Sequence, residues 1–169
     1  TVVEIKAPNG MVINNEKHSV ELTYAGQDVA VTETVTSFYN ERQKVKISLE
    51  KVLEQNDTFG IGKNDEIKNI SFGLYAKEDI VSSSGTVIPA DGLIEIITLD
   101  ENGTAIANTD LPFGSYYIKE IATDEHYILS DIQYPFTFEY AGQDTETVEI
   151  KVNDSKPIEN KLIYGSVSG

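Results

Sequence analysis

The stretch Lys44–Leu53, KVKISLEKVL, constrains the fold most, because it reads as a β-strand whose apolar face carries a lysine. Val45, Ile47, Leu49 and Leu53 share one parity, and in a strand one parity is one face of the sheet. Lys51 shares it too. Lys44, Lys46, Ser48 and Glu50 take the other face, with Val52 as the exception. A buried, unpaired charge is costly, so Lys51 requires partners or must give up its proton.

The same parity test finds two polar groups to meet it. In Tyr116–Ala122, YYIKEIA, Tyr116, Ile118 and Glu120 face one way and Lys119 the other. Near the end of the chain Ile158, Asn160, Leu162 and Tyr164 share a face, while Glu159 and Lys161 point away. Three strands therefore each place one polar group among apolar ones. An amine, a carboxyl and a carboxamide in a dry site are the ingredients of an intramolecular amide bond. Parity alone favours a simpler reading, a buried Lys–Glu pair hydrogen-bonded to Asn or strand-end residues that reach to water.

The order ISLEKV, ISFGLYAKED, a DENG turn, LPFGSYYIKEIA, YILSD and PIENKL resembles the collagen-adhesin B-type (Cna-B) repeat of Gram-positive surface adhesins and pilins, from about Lys44 to Tyr164. The resemblance implies an all-β, immunoglobulin-like (Cna-B or prealbumin-like) sandwich. It also implies a spontaneous isopeptide bond between Lys51 and Asn160, assisted by Glu120, with Phe72, Tyr116 and Ile118 as supporting core. Such chemistry needs a neutral lysine amine, which burial favours. A protonated Glu120 would donate to the Asn160 amide oxygen and shuttle protons. The loops Gln55–Lys68 and Ile80–Leu93 are longer than a compact repeat requires.

The segment before Lys44 repeats the second half of this module. Glu4-Ile5 aligns with Glu120-Ile121 and Ala25-Gly26-Gln27-Asp28 with Ala141-Gly142-Gln143-Asp144, both at an offset of 116 residues (120 − 4 and 141 − 25). Between them MVINNEKHSVELTY matches the apolar pattern of YILSDIQYPFTFEY. Tyr39-Asn40-Glu41 then corresponds to Glu159-Asn160-Lys161 after a few extra residues in the second copy. We expect residues 1–43 to be the C-terminal half of a preceding repeat, 44–164 a complete domain, and 165–169 a linker to the next repeat. Glu4 and Asn40 would then be a remnant site without its lysine.

Composition removes several function classes. The 169 residues include 28 Asp and Glu against 13 Lys and Arg, a net charge of −15, which repels nucleic acid and anionic membrane. There is no cysteine, so disulfides and thiolate metal sites are unavailable. No apolar run is long enough to cross a bilayer, and the opening residues read as mid-strand. We expect a piece of a longer secreted, cell-wall-anchored protein. Its partners would be neighbouring repeats of the same polypeptide and, in an alternative reading, a host extracellular-matrix protein or glycan held by the long loops.

Other clusters have simpler readings. Asp100, Asn102 and Asp110 lack the ligand series of a calcium loop; Asp100–Gly103 reads as an Asn-Gly hairpin turn, Lys77–Asp91 as a loop with one turn of helix, and Tyr127–Leu129 as a strand. His18 and His126 have no metal-ligand spacing, and we expect no metal or cofactor. Tyr116, Tyr117, Tyr127, Tyr134 and Tyr140 suit either a ligand groove or the edge of a core. No nucleophile motif supports a turnover enzyme.

Overall fold

The computed structural model describes residues 1–81, 84–85 and 87–164. The expected linker, 165–169, lies outside these. Two compact units share the chain: residues 1–44 with 140–147, and residues 45–139 with those from Val148 onward.

The second unit is a sandwich of short strands. Its strands are β3 (Lys44–Leu53), β4 (Ser71–Ala76), β5 (Ile80–Val81), β6 (Val87–Ile88), β7 (Leu93–Thr98), β8 (Thr104–Ala107), β9 (Gly114–Ala122), β10 (Gln133–Phe138), β11 (Thr147–Lys151) and β12 (Ile158–Asn160). One sheet has the order β10-β9-β4-β7; the other has β3 between β11 and β12, with β8 also paired to β3. Alternation puts Val45, Ile47 and Leu49 of β3 into the core beside Phe72 and Leu74 of β4 and Ile118 of β9. Each of these is less than 5% exposed, so the apolar faces of the two sheets meet as period-2 patterning requires.

The C-terminal end of β3 is paired by a strand from far along the chain. β12 runs parallel to β3, with Ile158 opposite Lys51 and Asn160 opposite Leu53. β11 and β12 each pair with β3, and between them lies Asn153–Ser155, where three consecutive residues have positive φ (61°, 52° and 62°). The interruption re-aims the chain so that β12 starts a fresh register beside Lys51.

Three loop expectations are revised. The Asp100–Gly103 turn is tight, with Asp100 Oδ1 accepting the N–H groups of Asn102 and Thr104, both at 2.9 Å. It does not close a hairpin, because β7 pairs with β4 in one sheet and β8 with β3 in the other. The polar stretch after Ala76 holds a small hairpin, β5 with β6, in place of a helical turn. Tyr127 makes a single bridge to Leu162, so Tyr127–Leu129 is not a strand.

The first unit has few regular elements: β1 (Val2–Val3) pairs antiparallel with β2 (Lys17–His18). Side-chain amides organise the rest. Gln43, 1% exposed, donates from Nε2 to the carbonyls of Gly142 (2.9 Å) and Thr145 (2.7 Å) and accepts the Ala141 N–H at 2.8 Å. Gln143 Oε1 accepts the Ala7 N–H at 2.8 Å. The AGQD loop of the second copy therefore folds with residues 1–44.

Gly103 is fixed twice over. Its φ is 78°, and a Cβ there would lie 2.3 Å from the Lys51 carbonyl oxygen, while its own carbonyl accepts the Lys51 N–H at 2.7 Å. Gly103→Ala is expected to cost about 1–3 kcal/mol, read as a lower urea midpoint at unchanged m-value. A midpoint equal to wild type would contradict this role.

Candidate functional site

β3, β9 and β12 bring Lys51, Glu120 and Asn160 together between the sheets. All three residues are 2% exposed. Lys51 Nζ donates to Asn160 Oδ1 at 2.6 Å and lies 3.4 Å from Glu120 Oε1. Asn160 Nδ2 donates to the same Oε1 at 2.6 Å and to Thr123 Oγ1 at 3.0 Å. Glu120 Oε2 accepts the Ser130 backbone N–H at 2.9 Å. Among the described residues, no buried side-chain nitrogen or oxygen lacks a hydrogen-bond partner.

The surroundings are apolar on the remaining sides. The Phe72 ring centroid is 5.8 Å from Lys51 Nζ, and Phe72, Tyr116 and Ile118 are each 0% exposed. Tyr116 and Ile118 precede Glu120 at its own parity on β9, so the strand that delivers the carboxyl also walls the site. The Tyr116 hydroxyl donates to the Pro112 carbonyl at 2.6 Å, and burial pushes its pKa up to about 12. Burial is also the main influence on Lys51, lowering its pKa below the ordinary lysine value against the opposing pull of Glu120.

The arrangement differs in one respect from the expected hydrogen bonding. The amide oxygen of Asn160 takes the lysine, and Glu120 accepts from the amide nitrogen instead of donating to the oxygen. The two nitrogens that would exchange a proton in amide formation thus share one carboxyl oxygen. Thr123, Ser130 and Gly103 escaped the sequence reading because each lies in a loop or a turn, where alternation carries no signal. Glu54 escaped it likewise: its carboxylate accepts the Leu162 N–H (2.8 Å) and the Tyr164 hydroxyl (2.7 Å), tying the chain just beyond Asn160 to the end of β3.

Of the other residues singled out, Glu4 and Asn40 also meet, with Asn40 Nδ2 donating to Glu4 Oε2 at 2.7 Å. Tyr116, Tyr117 and Tyr127 are buried, and the last two donate to Asp91 Oδ1 (2.9 Å) and the Glu54 carbonyl (2.7 Å). Their hydroxyls are committed to internal partners. His126 Nδ1 pairs with Asp124 Oδ1 at 2.6 Å, and His18 stacks on Phe38 with centroids 4.1 Å apart.

Two sheets closed over a buried amine, carboxyl and carboxamide define a prealbumin-like β-sandwich domain. The chain belongs to the SpaA prealbumin-like fold domain family, whose model matches residues 45–156. A solved structure of similar fold is the Bacillus anthracis TIE protein, 20% identical at a TM-score of 0.56, over 95% of this chain and 24% of that one. The group B streptococcus pilus 2b backbone protein is 15% identical at a TM-score of 0.43, over 96% of this chain and 53% of that one. GBS52, the minor pilin of Streptococcus agalactiae, is 21% identical at a TM-score of 0.44, over 78% and 50%. The chain thus spans 24% of the length of the first and about half of the others. No curated protein matches it.

Proposed function

We propose that this chain is a stalk module of a Gram-positive cell-surface adhesin or pilin-like protein, anchored in the cell wall and stiffened by an autocatalytic isopeptide bond between Lys51 and Asn160. The observation that carries the reading is the buried contact of amine and carboxamide over a shared carboxyl oxygen. In the reaction the neutral Lys51 amine adds to Asn160 Cγ, the Cγ–Nδ2 bond breaks, and ammonia leaves. One proton passes from the attacking nitrogen to the departing one. Glu120 Oε1 lies 3.4 Å from the first and 2.6 Å from the second, so a single oxygen relays it. Nζ must leave the amide oxygen for the face of the carbonyl carbon, and folding holds it within reach of that short step. The step happens once per molecule, so the domain is no enzyme in the turnover sense.

Topology supports a mechanical purpose. β3 enters the sandwich and the parallel β12 leaves it, so tension on the two chain ends shears one strand against the other. A bond from Lys51 to Asn160 carries that tension directly. It closes a loop of 109 residues, worth about 4–5 kcal/mol on the chain-entropy model. In a chain without cysteine it takes the place of a disulfide.

Burial that lowers the Lys51 pKa sets a pH dependence. The reactive neutral fraction grows as pH rises toward the folded-state pKa. Ammonia release from newly synthesised, still unlinked chain as it first folds is therefore expected to quicken with rising pH and to level off beyond that pKa, while Glu120→Gln folds and stays unlinked. Wild-type linking in Glu120→Gln would remove Glu120 from the mechanism.

Force spectroscopy tests the stalk role. At about 3.3–3.6 Å per extended residue, the separation of 109 positions between the linked residues hides about 360–390 Å of contour. Wild-type chain pulled by its ends is expected to lack an extension step of that size, and Lys51→Ala to show it. The same step in both would contradict a tension-bearing bond.

A further inference from the structure

We propose that Thr123 is a positioning residue for the cross-link: its hydroxyl fixes the plane of the Asn160 carboxamide and so turns the face of Cγ toward Lys51. The proposal rests on the reaction of Lys51 with Asn160 given above. Its own support is the second hydrogen bond made by the departing nitrogen.

Asn160 Nδ2 carries two hydrogens, and each has its own acceptor: Glu120 Oε1 at 2.6 Å and Thr123 Oγ1 at 3.0 Å. Both hydrogens lie in the amide plane, because the nitrogen is conjugated with the carbonyl. Two acceptors on one such group define the plane, whereas a single acceptor leaves it free to swing about the Cβ–Cγ bond. That freedom is large, since the last torsion of an asparagine joins a tetrahedral to a trigonal carbon and has broad wells.

The other contact of the carboxamide cannot do this work during the reaction. Lys51 Nζ holds Oδ1 at 2.6 Å, but it must abandon Oδ1 to reach Cγ. Glu120 is engaged at the same moment, taking a proton from one nitrogen for the other. Thr123 takes no part in that exchange, so its hold on Nδ2 persists while the other two contacts change. Alignment of groups already in contact then governs the rate.

A positioning residue must itself be held, and the structure does so from beyond β9. Thr123 is half-buried and directly follows Ala122, the last residue of that strand. Its neighbour Asp124 is a carboxylate only 8% exposed, which accepts the Asn69 amide at 2.8 Å and the His126 backbone N–H at 3.1 Å and pairs with His126 Nδ1 at 2.6 Å. The Asp124 carbonyl accepts the Tyr127 N–H at 3.0 Å, and the Tyr127 hydroxyl donates to the Glu54 carbonyl at 2.7 Å. The loop that presents the hydroxyl is thereby tied to the short helical turn Glu66–Asn69 and to the residue that follows β3. These ties run through residues other than Lys51, Glu120 and Asn160, so the hydroxyl is placed independently of the groups it orients.

A hydroxyl that only satisfied a buried N–H would matter to stability alone, and the two roles separate in the linking rate as a function of pH. Chain is synthesised in a cell-free system and quenched in denaturant at intervals, and the fraction lighter by one ammonia is read by intact mass. Thr123→Val, which keeps the shape, and Thr123→Ala, which adds no bulk, are each expected to lower the plateau rate at high pH roughly tenfold, the rate equivalent of one hydrogen bond. The midpoint of the pH profile, which reports Lys51, should stay at its wild-type position, and Thr123→Ser should restore the rate. Linking of Thr123→Val and Thr123→Ala at the wild-type rate overturns the proposal. A midpoint displaced upward in both does so too, because it marks water entering a loosened core and relieving the desolvation of Lys51. Failure of Thr123→Ser to restore the rate has the same meaning. Wild-type chain that never loses ammonia overturns the reaction beneath the proposal.

Discussion

The sandwich depends on the desolvation of one amine. Lys51 stands in a core position of β3, where its charge is expensive, and the structure answers with a carboxyl from the opposite sheet and a carboxamide from the adjacent strand. Removing one member of such a set strands the others and typically costs about 3–5 kcal/mol. Register depends on the same cost. A one-residue slip of β3, β9 or β12 would turn its polar group to the outer face and leave each of the remaining two buried with one contact fewer. One interaction therefore fixes three strands that are far apart in sequence.

The strands that carry the site were legible for a physical reason. Parity is a local property, and Val45, Ile47, Leu49 and Lys51 show it in a single run, as do Tyr116, Ile118 and Glu120. Asn160 was visible through its neighbours Ile158 and Leu162, both buried. What parity cannot hold is which strands neighbour one another. The Asp100–Gly103 turn looked like a hairpin because its residues suit one; that it passes between sheets depends on where β4 and β3 bind their edges. Thr123 and Ser130 lie outside strands, and their contacts with Asn160 and Glu120 arise only when the loop after β9 closes back.

Internal repetition was the other legible signal, and it carried more structure than its length suggested. Glu4 Oε2 accepts both the Asn14 N–H and the Asn40 amide, whereas Glu120 takes the Ser130 N–H on Oε2 and the Asn160 amide on Oε1. In the second unit β9, β12 and the loop after β9 hold the carboxyl and the carboxamide, and β3 delivers the amine.

The most direct measurement is the intact mass of the purified chain under denaturing conditions, followed by fragmentation. A mass short of the sequence by one ammonia, with a branched peptide joining Lys51 to Asn160, is the expected result. The full mass, with Lys51 and Asn160 recovered on separate unmodified peptides, would contradict it and leave the three residues as a buried polar cluster.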